Sequence, residues 1–265
     1  SSCILFSHWI KWAFCSSVVP RFKTAIIQPE KLTRLSASAE AVDAYIEAFR
    51  RDEAWDHMVW PGMVYISQPT ELGTIYSLAE LEALSEVCRR WKLPLFADGA
   101  RLGYALAAPS ADFTLVDMAR LCDIFYIGGT KVGALMGEAV VVPRGEQIPH
   151  FTTLIKQQGA LLAKGWLLGV QFDTLFTDNL YLDIAHNAVR QAERLSRALV
   201  EKGYELVSPT LSNQIFLRLS PVQLEHLSAI TTFSTWEQHA DCTIVRLATS
   251  WATTDEQIDE LIQAL

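Results

Sequence analysis

Between Ser38 and Arg51 the apolar residues fall at Ala41, Val42, Tyr45, Ile46 and Phe49, a helical spacing. Val64–Ser67 is a short apolar run bounded by Pro61-Gly62 and Pro69, which predicts a buried strand. Ser77 and Glu80 then form a capping box for a helix with Leu78, Leu81, Leu84, Val87 and Trp91 on its buried face. Further strands are predicted at Leu93–Asp98, Ile124–Ile127 and Ala139–Val142, with Val116–Leu121 helical between the first two. Strands that alternate with helices predict a mostly parallel sheet covered on both faces. Ligands of such sheets sit beyond the carboxyl ends of the strands, where Asp98 and the Gly128–Lys131 turn fall.

The pattern then changes. Leu161–Thr177 reads as helical, and Leu182–Lys202 as a long helix stopped by Gly203. Strands Tyr204–Ser208, Gln214–Leu219 and Thr243–Ala248 mix with helices Pro221–Ile230 and Thr254–Leu265, the last opened by a Thr254–Gln257 capping box. This order predicts a small α+β domain from about residue 180 onward. No repeat or low-complexity tract interrupts it.

Composition narrows the function classes. Lys+Arg is 22 against 30 Asp+Glu, a net charge of −8, which disfavours nucleic acid and anionic lipid as partners. Cys3, Cys15, Cys88, Cys122 and Cys242 include no close pair, so no zinc knuckle or CxxC motif exists. Their odd number argues against a full disulfide framework and for a reducing cytoplasm. The scattered histidines have no metal-ligand spacing. Ser1–Phe22 lacks the basic start and unbroken apolar stretch of a signal peptide, and no window reaches the ~18 apolar residues of a membrane helix. Residues 1–30 are read as unassigned, a foreign segment of cloning or gene-model origin or a disordered one; a poor membrane anchor is the second reading.

Four segments carry candidate chemistry. Asp98 ends an apolar strand, where a desolvated carboxylate needs a cationic partner; the plainer reading is a turn or capping aspartate. Lys131 follows a buried strand in a glycine-rich turn, where desolvation makes an amine nucleophilic toward an aldehyde; alone, it also reads as a surface lysine. Arg246 lies on an otherwise apolar strand and needs an anion, either a ligand carboxylate or a local acid. Lys164, in an apolar helical stretch, would meet a phosphate or snorkel to solvent.

Together, DGARLGYAL, CDIFYIGGTKVGALMGEAVVV, ALLAKGWLLGVQF and VRLATSW resemble, in this order, the threonine aldolase/β-eliminating lyase family, as does the upstream PGMVYISQPTELGTIYSLAELEALSEVC. The resemblance runs from about Lys31 to Leu265. It implies the aspartate-aminotransferase-like fold of pyridoxal 5'-phosphate enzymes: a three-layer α/β/α large domain, truncated on its N-terminal side (31–180), and a small C-terminal α+β domain (181–265). It also implies a cytoplasmic homo-oligomer acting on a small amino-acid substrate, without nucleic acid, membrane or metal.

Residue by residue, the resemblance makes Lys131 the lysine bonded to the cofactor aldehyde, and Asp98 the carboxylate that keeps the pyridine nitrogen protonated. Arg101 and Arg246 would grip the substrate carboxylate. Thr130 and Lys164 would bind the cofactor, Lys164 near its phosphate. Some family members carry a catalytic histidine in the loop that here reads Gln68-Pro69-Thr70-Glu71-Leu72-Gly73. Glu71 is the nearest candidate acid/base group, provided burial raises its pKa. The implied reaction is cleavage of a β-hydroxy-α-amino acid to glycine and an aldehyde. The alternatives are β-elimination from a substituted amino acid, and a non-catalytic remnant that assembles with full-length subunits.

Overall fold

The computed structural model describes residues 2–6, 24–27, 38–144 and 148–265. Its first sheet has six strands: β1 (Ser2–Phe6), β2 (Thr24–Ile27), β3 (Trp60–Ser67), β4 (Leu95–Asp98), β5 (Ile124–Gly128) and β6 (Glu138–Val142). Their order is β1-β6-β5-β4-β3-β2. The four strands from β2 to β5 are parallel, and β6 runs antiparallel to both β5 and β1. The expectation of a mostly parallel sheet therefore holds. The reading of residues 1–30 as outside the domain falls mainly on residues beyond those described; Ser2–Phe6 and Thr24–Ile27 pair with this sheet.

Strand alternation divides the sheet's side chains between two cores. Val64, Ile66, Leu95, Ala97, Phe125 and Ile127 face one side. There they meet α1 (Ala39–Arg51), α2 (Leu78–Trp91), α3 (Leu102–Leu106) and α4 (Leu115–Leu121). Met63, Phe96, Ile124, Tyr126 and Val140 face the other, where α5 (Phe151–Gln157) contributes Ile155. The result is three layers, α/β/α. The Ser77–Glu80 capping box starts α2 as the sequence indicates. β3 begins earlier than expected, at Trp60. Its first residues pair with β2 alone and carry a register shift, so Pro61 removes no central ladder bond.

The Leu161–Thr177 stretch differs from the single predicted helix. Residues 161–165 form an irregular turn, and α6 (Trp166–Phe176) begins only after Gly165. Next comes the long α7 (Leu180–Glu201), followed by Gly203 at φ +85°. A second, antiparallel sheet has the order β7-β8-β10-β9, from β7 (Glu205–Leu206), β8 (Gln214–Leu219), β9 (Ser234–Gln238) and β10 (Thr243–Ala248). α8 (Pro221–Ile230) and α9 (Asp255–Ala264) pack on it through Leu227 and Ile258. α7 serves both sheets: Tyr181, Ala185 and Ala188 join the helix-rich core of the first, and Ala192, Leu195 and Leu199 the core of the second. Each such fully buried leucine contributes roughly 1.5–3 kcal/mol.

Candidate active site

β4 points Leu95 and Ala97 into one core and Phe96 into the other, so Asp98 emerges on the Phe96 face at the strand's carboxyl end. Two phenols converge on it: Tyr65 donates to Oδ2 and Tyr126 to Oδ1. The Ala100 N–H adds a bond to Oδ1 at 3.0 Å. Tyr65 stacks on Phe96 at 5.2 Å, which sets the height of its hydroxyl. Burial and the Asp98 charge push the Tyr126 phenol up, so it remains a donor. The sequence shows these tyrosines as alternating strand residues; only the register β3-β4-β5 reveals that their hydroxyls meet at Asp98.

The chain then turns under tight packing. A Cβ on Gly99 would lie 1.8 Å from the Tyr126 carbonyl oxygen, and one on Gly128 2.1 Å from that of Ala100. Only glycine allows this approach, which brings the ends of β4 and β5 together; the Gly128 N–H donates to the Gly99 carbonyl at 2.8 Å. Lys131 leaves the turn after β5, half-buried. Tyr181 donates to the Gly128 carbonyl at 2.8 Å and Tyr104 to the carbonyl of Lys131 itself. Burial pushes the Tyr104 phenol up to about 12.

Arg101 is the residue before α3, and Arg246 arrives from the middle of β10 on the other sheet. Burial, then the like charge of Arg246, lowers the pKa of Arg101; the charges of Glu71, Tyr104 and Asp98 oppose this. Arg246 is held by the Gln214 side chain at 3.3 Å and lies 5.3 Å from the Trp236 ring centroid. Trp236 in turn meets Phe216 edge-on at 5.3 Å. Asp98, Arg101, Lys131, Arg246 and Glu71 line one cavity of about 260 Å³, with Ser67, Pro69, Thr70 and Ala100 completing its wall.

Glu71 stands at the cavity but is exposed, so the burial required by the sequence argument is missing. Thr130 and Lys164 are not among the residues lining this cavity. The Thr130 hydroxyl donates to Glu138 at 2.9 Å. Lys164 is exposed in the turn before α6, because the helix expected to carry it starts two residues later. His57, His150, His186, His226 and His239 are exposed and lie away from the cavity.

Comparison with known proteins identifies the family of the chain. The model of the beta-eliminating lyase family matches residues 24–221. A low specificity L-threonine aldolase from Pseudomonas aeruginosa is 31% identical over 207 residues, covering 77% of this chain and 59% of the relative. A second such aldolase, from another Pseudomonas, is 33% identical over 172 residues, covering 64% of this chain and 50% of the relative. The chain thus spans between half and three fifths of the length of these relatives. The solved threonine aldolase of Leishmania major superposes with a TM-score of 0.88 at 34% identity, covering 98% of this chain and 81% of that one. On the family match, the shared fold and this similarity, the chain belongs to the beta-eliminating lyase family.

Proposed function

We propose that this chain is a pyridoxal-phosphate-dependent lyase that breaks the Cα–Cβ bond of a β-hydroxy-α-amino acid, releasing glycine and an aldehyde. One observation carries the reading: an amine, an anchored carboxylate and two guanidiniums line one cavity beyond the strand ends. This donor set fits the cofactor. Lys131 offers the amine for an aldehyde carbon, and Asp98, which accepts hydrogen bonds from two phenols and a backbone N–H, offers a fixed carboxylate that would partner a ring nitrogen. The glycines at 99 and 128 allow the strand ends next to these two groups to approach closely.

When bound, pyridoxal phosphate supplies a sink for the electron pair left on Cα. The chain's own residues do the rest. Asp98 holds a proton at the ring nitrogen. Arg101 and Arg246 bind the substrate carboxylate and so orient the bond to be broken. Glu71, exposed at the cavity, is the candidate for taking the β-hydroxyl proton, in a role that no longer draws on burial. Its position in place of a histidine favours one further reading, β-elimination from a substituted amino acid, recognised by pyruvate and ammonia among the products.

Assembly of like subunits belongs to the same proposal. Leu161, Leu162, Trp166, Leu167 and Val170 are between 46% and 64% exposed around the start of α6, an apolar band that a second copy would cover. No helix among the described residues is long and apolar enough to cross a membrane. Cys88, Cys122 and Cys242 are free thiols, which supports a cytoplasmic setting. The two working parts are residues 31–180, which bind the cofactor, and 181–265, which bring Arg246.

The deciding experiment is the visible spectrum of the purified chain with added pyridoxal phosphate, beside Lys131→Ala. A band near the visible edge that needs Lys131, followed by aldehyde release from β-hydroxy amino acids, supports the proposal. Identical spectra from two folded proteins would leave the non-catalytic subunit as the better account.

A further inference from the structure

Among the described residues, Glu138 is the only acidic or basic side chain that is buried, at 6% exposure. A carboxylate in that position is tolerated only when its oxygens are hydrogen-bonded. It opens β6 directly across from Gly128, the last residue of β5. Its Oε2 accepts the Gly129 N–H at 2.7 Å and its Oε1 accepts the Thr130 hydroxyl at 2.9 Å. A Cβ on Gly129 would come within 2.4 Å of the Gly137 carbonyl oxygen, so glycine is needed for the N–H to approach. The turn is therefore gripped from two sides. Glu138 takes its donors, while Tyr181 and Tyr104 take the carbonyls of Gly128 and Lys131.

We propose that Glu138 is a positioning residue for Lys131. By fixing Gly129 and Thr130, it sets the direction in which the lysine leaves the strand and the reach of its amine toward an aldehyde. The inference rests on the reading of Lys131 as the cofactor-binding lysine. It also gives Thr130 a role in shaping the turn.

The test measures attachment. Wild type, Glu138→Ala, Glu138→Gln and Thr130→Val are mixed with pyridoxal phosphate, quenched with borohydride at intervals, and the modified Lys131 peptide is quantified by mass spectrometry. Modification at the exposed Lys202 serves as internal control. Glu138→Ala should modify Lys131 about tenfold more slowly than wild type or worse, as expected for a displaced reacting group, with Lys202 unchanged. Glu138→Gln keeps an acceptor for Gly129 and a partner for Thr130, and should recover to within about threefold of wild type. Thr130→Val should fall between. A folded Glu138→Ala that modifies Lys131 at the wild-type rate overturns the inference. If that variant does not fold, Thr130→Val at the wild-type rate overturns it instead. An unmodified Lys131 in the wild type overturns the cofactor reading, and this inference with it.

Discussion

Arg101, at the start of α3, and Arg246, on β10 of the second sheet, line the same cavity, and the charge of Arg246 helps burial to lower the pKa of Arg101. Two confined like charges favour an anion between them. A carboxylate ligand at about a hundred times its Kd should stabilise the fold by roughly 2.7 kcal/mol. Thermal unfolding with and without such a ligand checks this; at the same ligand concentration Arg246→Met should cut the increment to roughly 0.3–1.4 kcal/mol. In the assay, Arg101→Met or Arg246→Met should raise KM by roughly 10- to 150-fold, the value of about 1.5–3 kcal/mol in charge-assisted hydrogen bonds.

Trp236 supports Arg246 from outside the cavity. Trp236→Ala should weaken substrate binding roughly 2- to 30-fold, from a cation–π contact of about 0.5–2 kcal/mol. The split between KM and kcat tests this: an effect confined to kcat would contradict it.

Asp98→Asn keeps the shape and removes the charge. Loss of one preorganised electrostatic partner costs on the order of 10²–10³ in kcat. Steady-state rates, compared at equal cofactor occupancy, measure it.

Glu71→Gln probes the acid/base assignment. A general base contributes about 10²–10⁴. A fall of that size in kcat, with KM little changed, supports the role. An unchanged kcat would assign the proton to another group.

Far from the cavity, Asp255 joins α9 to α7. Hydrogen bonds from Arg190, then from Gln191, hold its carboxyl at about 2, below the ordinary 3.8. A lowered folded-state pKa means that the contact stabilises the fold above about pH 4 and is lost as pH falls toward 2. Asp255→Asn should therefore melt below wild type at pH 7, and the two curves should converge across that acid window.

Much of this was legible in the sequence. β8, β10 and α8 have the limits that their patterns indicate, because a short, mostly apolar run or a Ser-Pro start leaves little choice. Four candidate residues, Asp98, Lys131, Arg101 and Arg246, do meet in one cavity with Glu71 at its mouth. β9 escaped because both its faces are largely exposed, which removes the hydrophobic signal. The helix expected around Lys164 starts later because an apolar run does not specify its own conformation; residues 161–165 turn where a helix would have fitted. Glu138 was overlooked for another reason. A glutamate before a valine-rich run looks like a strand boundary, and its partners appear only once β6 is paired with β5.

The 22-residue α7 sets a distance as well as filling two cores. At about 1.5 Å per residue it is a rod of roughly 33 Å. Near its start Tyr181 holds Gly128 beside the lysine turn, and its later turns seat the sheet that carries Arg246. One residue inserted along this rod would rotate everything beyond it by about 100°. The alignment of lysine and arginine is thus kept as an angular phase, and α7 has little freedom to vary in length.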